Sequence, residues 1–163
     1  APTYGTPIGI VTNWVTGTTC DVMTLGLPAQ TALDLSGQST QVLHLGHFMF
    51  ANTTDADLIT SYPLPCHCEI VAFYYVTSTV FVGSGGTTSL NLEIGTTNVT
   101  GGVLVASTAV SGTAGLVVSS TPITAANVGH ADDALSVEMS STTGTRTSGA
   151  FDLYIKIRPR MGV

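Results

Sequence analysis

Three segments of this 163-residue chain alternate apolar and polar residues with a period of two, which restricts them to β-strands. The segments cover residues 89–94, 134–139 and 151–158. This alternation is typical of a strand that buries one face and exposes the other to water. Helical periodicity nowhere exceeds one or two turns, and residues 121–127 are the candidate for a single turn. The side chains predicted to point inward are Leu90, Leu92, Ile94, Leu135, Val137, Met139, Phe151, Leu153, Ile155 and Ile157.

Five further segments complete the predicted fold. Residues 41–51 and 69–82 are apolar on both faces, which indicates central strands or strands that a neighbour covers. Weaker strand patterns cover residues 56–62, 97–107 and 116–120. Turns rich in Gly and Ser separate the segments. About eight strands at this spacing predict an all-β, eight-stranded antiparallel jelly-roll sandwich over residues 41–163.

The first 40 residues differ from the rest. Their opening decapeptide contains two Pro and two Gly, which exclude a helix and would interrupt a central strand. We expect residues 1–40 to form an extended N-terminal arm, and the alternative is a strand pair of the same core. The apolar anchors of this arm, and our candidates for contact with a partner, are Ile8, Ile10, Trp14, Val15, Leu25 and Leu27.

Charge is scarce and unevenly placed. Charged residues make up 9% of the chain, and the net charge of −6 combines 10 acidic with 4 basic residues. All four basic residues follow residue 145, so the chain lacks the basic face that nucleic-acid binding requires. No apolar run approaches the roughly 20 residues of a membrane-spanning helix. The first residues lack the regions of a signal peptide, so we expect synthesis in the cytoplasm.

Depletion of charge is also typical of the cores of protein interfaces. A single sandwich exposes one face of each strand to water, so strands that are apolar on both faces need a second cover. We therefore expect a homo-oligomer.

The sequence offers no constellation for catalysis. It has no Gly-x-Ser-x-Gly turn, no phosphate-binding loop, and a single lysine, Lys156. Asp132 and Asp133 precede a strand, where we expect them to accept hydrogen bonds from nearby backbone amides. We expect no enzymatic activity and no cofactor.

His44, His47, Cys66 and Cys68 have the right chemistry for zinc, but their spacing argues against a metal site. On a regular strand His44 and His47 point to opposite faces, and only a bulge at Gly46 would bring them together. Cys66 and Cys68 are one residue apart, a spacing that does not favour a disulfide. We therefore expect all three cysteines, Cys20, Cys66 and Cys68, to be free thiols, and we expect no bound metal.

Four segments together resemble the jelly-roll accessory proteins of tailed-phage virions, that is, capsid cement or decoration proteins and related head fibres. They are SLNLEIGTTNVTGG (89–102), TPITAAN (121–127), DALSVE (133–138) and GAFDLYIKIRP (149–159). The family usually has Gly-Asp where this chain has Asp132-Asp133. The resemblance covers residues 41–160 and lies in the pattern of strands and turns.

This resemblance implies a non-enzymatic structural protein on the outer surface of the virion. Such proteins form oligomers, often trimers, that bridge neighbouring subunits of the major capsid protein. Lys156, Arg158 and Arg160 are then candidates for a second, salt-sensitive contact with an acidic capsid surface.

The alternative is a carbohydrate-binding or receptor-binding β-sandwich of a phage fibre. Such a module would present an aromatic platform, for which the candidates are Trp14, Tyr62, Tyr74 and Tyr75. Fold alone does not decide between these two functions.

Overall fold

The computed structural model describes residues 40–52, 56–109, 113–141 and 144–160, and the backbone of residues 10–15 and 19–23. The chain divides into two compact units, residues 1–39 and residues 40–163. In the first unit, strands β1 (Ile10–Val15) and β2 (Thr19–Met23) pair as an antiparallel hairpin. The sequence assigned these residues to the extended arm.

The second unit consists of two antiparallel sheets, so the predicted all-β class is confirmed. The four-stranded sheet has the order β4–β10–β6–β7, and the five-stranded sheet has the order β3–β11–β5–β8, with β9 also pairing to β5. Within the described residues, no helix has the length and apolar character that crossing a membrane requires. The strands are β3 (Gln41–Met49), β4 (Asp57–Pro63), β5 (Cys68–Ser84), β6 (Thr87–Ile94), β7 (Thr97–Ser107), β8 (Val117–Ser119), β9 (Val128–Gly129), β10 (Ala134–Ser141) and β11 (Thr145–Pro159).

The antiparallel pairs are nested. If the two-residue strand β9 is set aside, the first strand of this unit pairs with the last, β3 with β11, and the second pairs with the second-last, β4 with β10. Inside them, β5 pairs with β8 and β6 pairs with β7. The unit therefore resembles one long hairpin that is folded over into two sheets.

The core lies between the sheets. The side chains predicted to point inward are buried there, except Ile94, which is half-buried and packs against the same core. Aromatic rings fill one end, where Phe50 stacks on Phe81 at 4.3 Å and Phe151 lies 5.4 Å from Tyr75. Burial of each such ring stabilises the fold by about 1.5–3 kcal/mol.

Two details differ from the sequence expectations. Nine strands rather than eight occur in the described part of residues 40–160, because Val128 and Gly129 form a short extra strand beside Cys68. The strand predicted over residues 41–51 ends at Met49 and gives way to a 3-10 turn, Phe50–Asn52. That turn places the ring of Phe50 in the core.

Candidate interaction surface

A β-bulge in the edge strand β3 places His44 and His47 on the same outer side of the five-stranded sheet. The register of β3 against β11 shifts between His44 and Gly46, so Leu45 is the extra residue, and its side chain is buried. Gly46 has a φ of 153°, a conformation that residues with a side chain rarely adopt. The expectation for a regular strand therefore does not apply, and the alternative, a bulge at Gly46 that brings the two histidines together, is the one that the structure shows.

Asp152 of β11 lies between the two histidines. Its Oδ1 is 3.0 Å from Nδ1 of His47 and 3.3 Å from Nε2 of His44. A carboxylate only accepts hydrogen bonds, so Nδ1 of His47 carries the hydrogen that it donates to Asp152. The His44 and His47 side chains are 50% and 51% exposed, against 25% for Asp152. Asp152 therefore contacts each imidazole ring from the side of the sheet, and the opposite side of each ring is exposed to solvent.

The two histidines of this cluster meet at one carboxylate oxygen. Both ring nitrogens approach the same oxygen atom of Asp152. Across the part of the chain that the structure describes, no group of three or more His, Cys, Asp or Glu side chains is arranged to hold a metal ion.

A row of three rings crosses the same sheet beside the cluster. The ring centroids of Tyr74 on β5 and Tyr154 on β11 are 5.3 Å apart with nearly parallel planes, and His44 lies 5.0 Å from Tyr154. Burial, and then the neighbouring Tyr154, raise the pKa of Tyr74 above its usual value. The rings therefore form a continuous, partly buried strip that is three strands wide.

Apolar side chains flank this strip. Val76 and Val117 lie in the row of Asp152, and Ala72 and Val42 lie in the row of Lys156. Val42 and Val117 are each 54% exposed to solvent. We call this surface the tyrosine face. Its residues are Val42, His44, His47, Ala72, Tyr74, Val76, Val117, Asp152, Tyr154 and Lys156.

Basic residues gather at one end of the tyrosine face. Lys156 belongs to the face, and Nη1 of Arg158 lies 3.5 Å from Oε2 of Glu69 across the strand pair. Arg160 follows the end of β11 and is exposed. The remaining basic residue, Arg146, is engaged elsewhere, since its Nη2 donates to the carbonyl oxygen of Thr87 at 3.0 Å. Of the three basic residues singled out from the sequence, Lys156 and Arg158 thus lie on β11, and Arg160 directly follows it.

The outer face of the four-stranded sheet has the opposite chemistry. Its central strands present hydroxyl, amide and carboxylate groups, and Oγ of Ser136 donates to Oε2 of Glu93 at 3.2 Å. Its apolar exceptions are Val103 and Val105 on the edge strand β7, which are 44% and 40% exposed. We call this surface the serine face. Its polar residues are Asp57, Ser89, Asn91, Glu93, Ser136, Glu138 and Ser140.

Two of the three cysteines predicted to be unpaired lie at the start of β5, and the third, Cys20, belongs to β2, whose side chains lie outside the described part of the structure. Cys66 and Cys68 are free thiols, and Cys68 is fully buried. Burial, together with the charge of Cys66 and a hydrogen bond to its thiol, raises the pKa of Cys68 to about 11. A thiol with so high a pKa is protonated at neutral pH and is a poor nucleophile.

A second pair of histidines lies near these cysteines. The ring of His67 stacks on that of His130, with centroids 4.5 Å apart. Oδ2 of Asp133 accepts a hydrogen bond of 2.7 Å from the backbone N–H of His130, which confirms the local role expected for Asp133. These contacts order the chain between β9 and β10.

The structure also locates the other candidates. Tyr75 is fully buried and cannot serve as a platform, and the half-buried Tyr62 packs against the core. Ile10, Trp14 and Val15 belong to β1, whose side chains lie outside the described part of the structure. Ile8, Leu25 and Leu27 fall entirely outside the described residues.

Two residues of the tyrosine face were not among the functional candidates predicted from the sequence. Asp152 and Tyr154 were counted only as the polar partners of an alternating strand. That alternation already placed them on the outer side with Lys156. Their neighbours across the sheet depend on the register between β3, β11 and β5, which periodicity does not provide.

No protein-family model, curated protein or solved structure matches this chain.

Proposed function

We propose that residues 40–160 form a jelly roll. Support comes from the nested pairing, in which eight strands numbered in chain order without β9 give sheets 1–8–3–6 and 2–7–4–5. This order results when a long antiparallel hairpin is rolled into a two-sheet sandwich. Domains of this kind occur in viral capsids and in lectins.

We further propose that the protein is a non-enzymatic structural component of a tailed-phage virion. It decorates the outer surface of the capsid and stabilises it by bridging neighbouring subunits of the major capsid protein. The observation that carries this proposal is the contrast between the two outer faces. A protein without a partner needs no aromatic and apolar strip on one face while the other presents mainly hydroxyl, amide and carboxylate groups.

The chemistry of the tyrosine face suits a protein partner. Interface cores are enriched in tyrosine and arginine and depleted of unpaired charge. Tyr74 and Tyr154 provide the ring surface, and Val42 and Val117 extend it to both edges of the sheet. Lys156 adds a cation at the end where Arg158 and Arg160 follow, which favours an acidic partner surface.

The N-terminal unit provides the second element of attachment. Residues 1–39 form a compact unit, and their apolar side chains would bury a large area against a partner. The protein acts as a homo-oligomer, a trimer in this proposal, so that each particle offers several weak attachments at once. The candidate contacts of this unit are Ile8, Ile10, Trp14, Val15, Leu25 and Leu27.

A second candidate function is the binding of a carbohydrate or receptor. The strip of Tyr74, Tyr154 and His44 favours it, because partly exposed rings beside carboxylate and imidazole groups are the usual lining of sugar sites. The capsid proposal ranks first because the exposed valines continue the strip at both edges, where a sugar ring would not reach them.

Capsid shells that lack this protein provide the test. We expect the wild-type chain to bind them, and the double variant Val42→Asp/Val117→Asp to lose at least about tenfold in affinity. Val103→Asp is the matched control, since Val103 is also an exposed strand valine but lies on the opposite sheet. Equal loss in both variants would remove the tyrosine face from the interface.

The same proteins distinguish the second function. If the wild-type chain does not bind the shells but gives a specific signal on a glycan array, carbohydrate binding becomes the better proposal for its function. In that case Tyr74→Ala and Tyr154→Ala should abolish the glycan signal, and Val42→Asp should leave it nearly unchanged.

A further inference from the structure

His47 has one ring nitrogen committed to Asp152 and one directed away from it. Nδ1 donates to Oδ1 of Asp152, so in the neutral ring Nε2 holds a lone pair and no hydrogen. A lone pair repels a carboxylate. Protonation leaves the bond to Asp152 in place, adds an N–H donor at Nε2 and gives the ring a positive charge.

His44 has the same relationship to Asp152 through its Nε2, which lies 3.3 Å from Oδ1. Protonation of its ring likewise creates donors on both nitrogens. Because both imidazoles are about half exposed, these groups are within reach of a molecule that docks on the tyrosine face. Histidine is the side chain that ordinarily changes its charge between pH 5 and 8.

The surrounding groups decide the sign of the charge. β3 is an edge strand of its sheet. Among the residues that the structure describes, the titratable groups that face the two histidines come from β11, namely Asp152, Tyr154 and Lys156, with Tyr74 of β5 behind them. At neutral pH the tyrosines are uncharged, and the Asp152 carboxylate balances the Lys156 ammonium. Protonation of both imidazoles therefore makes this part of the tyrosine face positive, on a chain whose net charge is −6.

We propose that His44 and His47, oriented by Asp152, form a proton-controlled binding site for carboxylates of a partner surface. Attachment through the tyrosine face, on which this inference rests, then tightens as the pH falls below neutral. The site binds the carboxylate by charge-assisted hydrogen bonds from both imidazolium rings.

Binding to immobilised poly-L-glutamate at constant ionic strength tests the site without any capsid. We expect the affinity of the wild-type protein to be about tenfold higher at pH 5.5 than at pH 7.5. The double variant His44→Gln/His47→Gln should lose this difference while it keeps the wild-type melting temperature. His67→Gln/His130→Gln is the matched control. It removes the second histidine pair, whose rings stack on each other, and it should leave the pH dependence intact.

Equal wild-type binding at the two pH values would overturn the proposal. So would a pH dependence that survives in His44→Gln/His47→Gln and disappears in His67→Gln/His130→Gln. Failure of the proposed function alone gives a different result. The chain would then still bind poly-L-glutamate in a pH-dependent way, but it would not bind the capsid shells.

Discussion

Tyr75 reaches across the sandwich and donates its hydroxyl hydrogen to the backbone carbonyl of Val105, at 3.1 Å in the opposite sheet. This bond joins the interior strand β5 of one sheet to the edge strand β7 of the other. It also explains why a tyrosine rather than a phenylalanine occupies a fully buried position.

Tyr75→Phe should lower the free energy of unfolding by about 1 kcal/mol, because the carbonyl of Val105 loses its partner while the ring stays in place. Urea denaturation followed by circular dichroism measures the change. The neighbouring Tyr74→Phe is the control, and its effect should stay within about 0.5 kcal/mol since Tyr74 lies on the outer face. Equal effects of the two variants would show that the bond across the core contributes nothing.

Gly46→Ala should destabilise the protein by about 1–3 kcal/mol and disturb the histidine cluster. An added Cβ would lie 2.8 Å from Cζ of Phe48, and the φ of 153° is strained for alanine. Gly86→Ala is a suitable comparison, because there a Cβ meets only the flexible side chain of Arg146, at 3.4 Å. Thermal melting measures stability, and imidazole NMR signals report on His47. An unchanged His47 signal would mean that the bulge does not depend on glycine.

Alkaline pH should destabilise the fold through Cys68. Its thiol has a pKa of about 11 in the folded protein against an ordinary value of 9.0, so above pH 9 the unfolded chain loses its proton first. The stabilising contribution of the protonated thiol is therefore fully present below pH 9 and is lost as the pH rises towards 11, by up to about 3 kcal/mol in total. Cys68→Ala should be less stable at pH 7 but show a smaller decline between pH 8.5 and 10.5. A decline of the same size in this variant would assign it to other groups, such as Tyr74.

Deletion of residues 1–39 should leave the sandwich folded and reduce binding to capsid shells by orders of magnitude. The sandwich is a compact unit with its own core, and the deleted unit carries most of the proposed apolar anchors. Calorimetry checks folding, and co-sedimentation with shells checks binding. A truncated chain that is folded and binds normally would move the attachment to the tyrosine face alone.

Sedimentation of the full chain at micromolar concentration should show an oligomer, with three copies as the expected number. The exposed valines of the tyrosine face and the low charge of the chain are the reason. The variant Val42→Asp/Val117→Asp tells whether the face that serves the capsid also joins the copies. If the wild-type protein is a monomer and does not associate when its concentration is raised, the proposed oligomer is wrong.

Strand positions and inward faces were predictable because period-two alternation depends only on local sequence. The contacts between strands were not, as His44 shows. Its partner Asp152 lies 108 residues away in the chain, and their approach depends on one bulge that shifts the register. Gly46 was the one local signal of that shift.

Residues 121–127 show a second limit. Local preference favoured a helical turn, yet Thr100 and Ala125 pair backbone to backbone instead. Gly101, with a φ of 88°, makes room for the carbonyl of Pro122 beside β7. A hydrogen-bonding partner from a distant strand thus overrides a weak helical tendency.

The difference between the two outer faces also gives the molecule a preferred orientation on a flat support. A sandwich with two equivalent faces could settle on a flat support in either orientation, and a layer of such molecules would display a mixture of both. Copies held through Tyr74 and Tyr154 would all turn Ser89, Asn91 and Glu138 outward. The resulting layer would be uniform, rich in hydroxyl and amide groups and mildly acidic. Two particles covered by this layer would therefore have little tendency to associate with each other.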